Sequence, residues 1–214
     1  RAFCAGADLS AGADTFNYDK LRKDADSHGA DGLTEERDGG GRVGMRIYES
    51  LKPVIAAING AAAGVGATMT LPMDVRLAAE GGRMGFVFTR RGIVPETLST
   101  YFLPRLVGLQ TALEWSMTGR VFPIEEAKER GLVRSLHKAD ELLPAAHALA
   151  REIADNTSPV SVALTRRMML EMLDAEHPMD AHRLESRLMV ARGKSKDATE
   201  GVTSFLEKRA PVYP

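Results

Sequence analysis

The run Gly60-Ala61-Ala62-Ala63-Gly64-Val65-Gly66 offers no reactive side chain, so any chemistry it performs comes from its backbone. It follows an apolar stretch, Val54 to Ile58, and leads into a brief apolar segment that Pro72 must end, giving strand, glycine-rich turn and helix in succession. Such a turn aims free backbone N–H groups, backed by the positive end of a helix dipole, at one point in space. A negative group belongs there, and two identities compete. A phosphate calls for a Lys-Ser/Thr pair after the glycines, or for a Gly-x-Gly-x-x-Gly fingerprint. Here the glycines fall at 60, 64 and 66, and Ala67-Thr68 comes next. An oxyanion, such as the enolate oxygen of a thioester, needs two backbone donors instead. A second run of small residues, Cys4-Ala5-Gly6-Ala7-Asp8, stands at the start of the chain, with Asp8 placed to cap the segment after it.

The elements that must position these loops are read from periodicity and punctuation. Val43, Ile47 and Leu51 recur every four residues, which predicts a helix leading into the strand at Val54. Val75 to Ala79 reads as the next strand, turned around by Glu80-Gly81-Gly82, and the alternation of strand and helix indicates an α/β fold. A helix begins near Thr97 with Leu98, Phe102 and Leu103. Another covers 106–117, carries Leu113 and Trp115 toward a core and stops at Gly119-Arg120; a third starts at Ile124 and ends before Gly131. Leu132 to Leu136 reads as a last short strand. Four amphipathic helices come after it over 140–155, 159–173, 179–191 and 197–208, with Met168, Met169, Met172 and Met179 read as packing residues. Ser10 to Arg42, ending in Asp38-Gly39-Gly40-Gly41, is polar and glycine-rich and reads as a mobile loop around a short helix.

A chain of 214 residues that is 44% hydrophobic and 27% charged can bury a sizeable core as one globular unit. Its net charge of −1 gives no support to a nucleic-acid partner or a membrane surface. The single cysteine, Cys4, rules out an internal disulfide framework and suits a reducing, cytoplasmic setting. No signal peptide and no bilayer-length apolar run is present.

Taken in order, RAFCAGADL, KPVIAAINGAAAGVGA, MDVRLA, LPRLVG and the terminal FLEKR resemble the crotonase superfamily, the enoyl-CoA hydratases and isomerases, across essentially the whole chain. The resemblance implies a spiral of repeated ββα units over 1–137 and a C-terminal helical region over 138–214 that forms trimers or dimers of trimers. It also implies that the family's first strands and helices precede Arg1, which already sits at the end of a strand. The substrate it implies is an acyl-CoA thioester, with no separate cofactor and no metal.

The same resemblance assigns the site. The oxyanion donors transfer to the amides of Ala7 and Val65; at Val65 the family more often has glycine, but only the N–H is needed. The competing reading is that both runs are small merely so that elements can pack closely. Hydratases of the family carry two glutamates, and at those positions this chain has Thr68 and Phe88, neither of which can handle a proton near neutral pH. A different carboxylate, Glu96, comes directly after Pro95, where 3-enoyl to 2-enoyl-CoA isomerases of the family carry Pro-Glu. Beside an apolar acyl pocket its pKa would rise, as suits a base that takes a proton from C2 and returns it to C4. The alternative is that Glu96 merely favours the first turn of the helix after it. Ala5, Asp8 and Leu9 match coenzyme A contacts, and Phe205 and Lys208 match positions that touch the coenzyme of an adjacent subunit. Hydration with Glu96 alone and silent acyl-CoA binding stay open beside isomerisation. His28, His137, His147, His177 and His182 lack metal-ligand spacing, and no Gly-x-Ser-x-Gly elbow points to a serine hydrolase.

Overall fold

The computed structural model describes residues 2–10, 12–17 and 37–213. Helix α1 (Gly39–Tyr48) leads to β1 (Ile55–Ile58), β2 (Ala62–Ala63) and the one-turn helix α2 (Val65–Thr68). Then come β3 (Val75–Ala79), β4 (Arg83–Gly85), α3 (Ser99–Val107), α4 (Leu109–Thr118), β5 (Val121–Pro123), α5 (Ile124–Glu129) and β6 (Ser135–His137). Four helices close the chain: α6 (Leu142–Asn156), α7 (Pro159–Glu171), α8 (Pro178–Gly193) and α9 (Lys196–Leu206).

The first four strands alternate between two sheets, and β5 then stays in the sheet of β4. One sheet has the order β1-β3-β6, all parallel; the other has β2-β4-β5, with β4 parallel to β2 and antiparallel to β5. The first two passes, β1-β2-α2 and β3-β4-α3, each lay one strand in each sheet before a helix returns the chain, which is the spiral of ββα units; in the last, α5 separates β5 from β6. Cys4 forms a parallel bridge to Ala62, so the first described residues lie beside the second sheet.

The residue choices explain the layers. Ala56 and Ile58 of β1 and Leu77, Ala78 and Ala79 of β3 are buried, and the small alanines let helices approach closely. Helix α6 lies on this sheet, with Leu142 packed among Leu77, Ala79, Ile55, Ala57 and Ala146. The main core gathers Phe86, Phe122 and Trp115, the indole stacked on Phe122 at 4.3 Å between ring centroids. Trp115 Nε1 donates to Glu126 Oε1 at 2.7 Å, so the buried indole keeps a hydrogen-bond partner. Arg166 of α7 is also buried. Its Nε donates to both oxygens of Asp74 at 2.8 and 3.0 Å, and its other nitrogens donate to the carbonyls of Ile47, Tyr48 and Ser50. One side chain thus caps the C-terminal end of α1 and ties it to the start of β3.

Several expected boundaries move. Helix α1 starts at Gly39 rather than Val43, because Asp38 caps it and accepts the Gly41 N–H at 2.6 Å. The helix expected over 106–117 breaks at Gly108, whose φ of 78° admits glycine readily, so Leu106 and Val107 end α3. Trp115 is fully buried but Leu113 is exposed; Ala112 takes the inward position. The last strand lies at Ser135–His137, slightly later than its apolar run suggests, and β5 has no clear mark in the sequence. Met169 and Met179 are exposed in the single chain. The excursion expected over 10–42 falls largely on residues outside those described, as do Arg1 and His28. Among the described residues no helix is long and apolar enough to cross a membrane.

Candidate active site

The two small-residue runs meet. Phe3 and Cys4 amides donate to Ala61 O, and Ala63 N donates back to Cys4 O at 3.0 Å, so the first run is laced to the second as a strand would be. Glycine is required at the crossing. Gly6 has φ 99° and a Cβ there would sit 3.0 Å from Ala63 O; Gly64 has φ 55° and lies against Gly6 Cα; a Cβ on Gly66 would overlap Cys4 O. The residues immediately after Gly6 and Gly64, Ala7 and Val65, line one cavity of about 870 Å³. Val65 opens α2, so its N–H has no acceptor within the helix.

Glu96 lines the same cavity and is half-buried. Its carboxylate does not cap α3, whose N-cap residue is Leu98 and receives no side-chain bond. Instead Thr68 Oγ1 donates to Oε1 at 2.8 Å and Thr97 Oγ1 donates to Oε2. The bend that allows this is costly, since Thr97 and Leu98 are consecutive non-glycine residues at φ 56° and 59°. Helix α1 closes over it with Gly40 and Gly44, one turn apart on one face. A Cβ on Gly40 would overlap Glu96 Oε2, and one on Gly44 would lie 3.1 Å from Thr97 Cγ2.

Burial raises the Glu96 pKa, the Thr97 and Thr68 hydrogen bonds pull it back, and Asp38, which also lines the cavity, pushes it up again as hydrogen-bond partner and like charge. The remaining lining is largely apolar, including Phe16, Val87, Phe88, Ile93, Val94 and Val121. A weakly acidic carboxylate against an apolar cavity, with a glycine-walled amide pair at its edge, can move a proton at a carbon next to a polarised carbonyl.

Of the sequence-derived candidates, Ala5, Ala7, Leu9, Val65 and Glu96 share the cavity. Asp8 does not line it; its Oδ1 accepts the Ser10 N–H at 2.9 Å, which holds the carboxyl below its ordinary range. Phe205 is 80% exposed and Lys208 has φ 55°; neither lines the cavity of the single chain. Sequence reasoning misses Thr68, Asp38 and Gly40 as working parts. Asp before three glycines is an N-cap signal, and it would have placed α1 correctly. Among the described residues no three His, Cys, Asp or Glu side chains gather as a metal site requires.

Comparison with known proteins agrees with this geometry. The family model described as enoyl-CoA hydratase/isomerase matches residues 1–214. The chain is 44% identical over 212 residues to the enoyl-CoA hydratase ACTT3 of Alternaria alternata, covering 99% of this chain and 67% of that protein. It is 33% identical to the 1,2-epoxyphenylacetyl-CoA isomerase of Escherichia coli, covering all of this chain and 77% of that one. The crystal structure of an enoyl-CoA hydratase from Bacillus anthracis superposes with a TM-score of 0.84 at 32% identity, over 100% of this chain and 77% of that one. Strands shared between two sheets, the match of the family model along the full length and the similarity to these relatives converge on one conclusion: the chain belongs to the enoyl-CoA hydratase/isomerase family, within the crotonase superfamily.

Proposed function

We propose that the chain acts on an enoyl-CoA thioester and shifts its double bond from the 3,4 to the 2,3 position. The observation that carries this reading is Glu96, a carboxylate of raised pKa held at both oxygens in the apolar cavity that Ala7 and Val65 also line. The thioester oxygen accepts from the amides of Ala7 and Val65. Glu96 removes a proton from C2, and the C–H electrons pass into an enolate whose charge those amides stabilise; one such donor is worth about 3–4 kcal/mol. As the carbonyl re-forms, the C1–C2 electrons become the C2=C3 bond, and the former C3=C4 electrons take the proton back from Glu96 at C4. One carboxyl group suffices and none of its protons is consumed.

Coenzyme A lies along Ala5, Asp8 and Leu9, with Phe205 and Lys208 supplied by a neighbouring copy in a trimer or a dimer of trimers. The thioester needs no further cofactor. The assay is the interconversion of 3-enoyl-CoA and 2-enoyl-CoA, which E96Q should abolish; unchanged turnover in E96Q discards the assignment. A second reading, hydration of 2-enoyl-CoA, draws on the names of the Alternaria and Bacillus relatives and on a second carboxyl, Asp38, in the cavity. Water addition to crotonyl-CoA faster than double-bond migration in its 3-enoyl isomer favours it. Coenzyme binding without deuterium exchange at C2 indicates a silent acyl-CoA binding protein.

A further inference from the structure

We infer that Asp38 is a positioning residue for Glu96: fixed at the head of α1, its carboxylate lines the same cavity and acts on the proposed base from there. This rests on the reading of Glu96 as the base. Asp38 has backbone angles of −68° and 152°, outside the helix, and its Oδ1 takes the Gly41 amide at 2.6 Å. In that N-cap geometry the carboxylate satisfies one of the free amides of the first turn. Glu96 has no such amide; it lies where the missing Cβ of Gly40 leaves room, two residues along the same turn. Both carboxyls line the one cavity, and Asp38 acts on Glu96 there as hydrogen-bond partner and like charge.

Among the described residues, Asp38, Arg91 and Glu96 are the charged side chains that line the cavity. Arg91, the other charged side chain on the cavity, sends Nη1 to Arg90 O at 3.5 Å, while α2 and the Glu96 loop present only the neutral hydroxyls of Thr68 and Thr97. Those hydroxyls favour ionised Glu96, and Asp38 opposes them. A base whose pKa lies nearer the working pH transfers protons more effectively. Asp38 itself gains and loses no proton in the cycle.

The test is D38N, which keeps the cap while removing the charge, with D38S as a second uncharged cap. Turnover needs ionised Glu96, so the rate falls as pH drops through its titration. Removing the like charge lowers that midpoint, and the acid limb of kcat should move to lower pH. The plateau kcat should drop about tenfold with KM unchanged, because a weaker base is left. The second readout is the carboxyl carbon resonance of Glu96, titrated by NMR in wild type and D38N. Its midpoint should fall in the variant. Wild-type limb and midpoint in both D38N and D38S overturn the inference. An active E96Q would instead remove the base reading, and the NMR titration would still decide whether Asp38 and Glu96 are coupled.

Discussion

Replacing Gly40 by alanine sets two opposed effects against each other inside one helix turn. Glycine to alanine in a helix gains up to about 1 kcal/mol from propensity alone. At Gly40, however, the new Cβ overlaps Glu96 Oε2, so either α1 lifts or the carboxylate leaves its two hydroxyl donors. A hydrogen bond to a charged group is worth about 1.5–3 kcal/mol. Losing even one outweighs the helix gain and leaves the variant roughly 0.5–2 kcal/mol less stable. A displacement of about 1 Å at the base costs on the order of a hundredfold in rate. The control is G193A, at the end of α8, where an added Cβ meets nothing within 4 Å. Thermal unfolding and kcat for double-bond migration, measured on both variants, separate the cases: G193A should match or exceed wild-type stability, and G40A should fall in both measurements. G40A with full activity and raised stability would refute the close approach of α1 to Glu96.

Buried charges give two further expected outcomes. R166M removes five donated bonds, two of them to Asp74, and breaking a buried pair costs about 3–5 kcal/mol; Tm should fall by roughly 6–20 °C, read by calorimetry. Because the Glu96 pKa is raised on folding, the native state holds more protons than the unfolded chain between the two values, and Glu96 weakens the fold as pH rises through that window. E96Q should therefore unfold at a higher temperature than wild type at neutral pH, with the difference vanishing in acid; equal Tm values across the range would contradict the burial of this carboxyl.

The strands and helices legible in the sequence are those with a strong local signal. Val54 to Ile58 and Val75 to Ala79 are apolar runs between breakers, and of the four closing helices the first and last carry a clear apolar stripe while the middle two do not; all are found within a few residues of their expected bounds. Local pattern does not give the wall opposite Glu96. Gly39, Gly40 and Gly41 are poor helix formers, so propensity reads them as loop, and at Gly40 only the contact with Glu96 and Thr97 explains why glycine stands there. Thr68 is visible in the sequence only as a glutamate replaced; its use as a donor to Glu96 depends on a contact between residues 28 apart in sequence. The left-handed Thr97 and Leu98 carry no sequence mark at all, since neither residue type favours that conformation.

That pair acts as a loaded spring. A left-handed backbone costs roughly 1–2 kcal/mol per non-glycine residue, so a hinge free to relax would abandon the bent shape by a factor of about thirty to several hundred. The glycine face of α1 is what latches it, through Gly44 against Thr97 and Leu98. The place of Glu96 on the cavity thus depends on α1 staying packed against the bend.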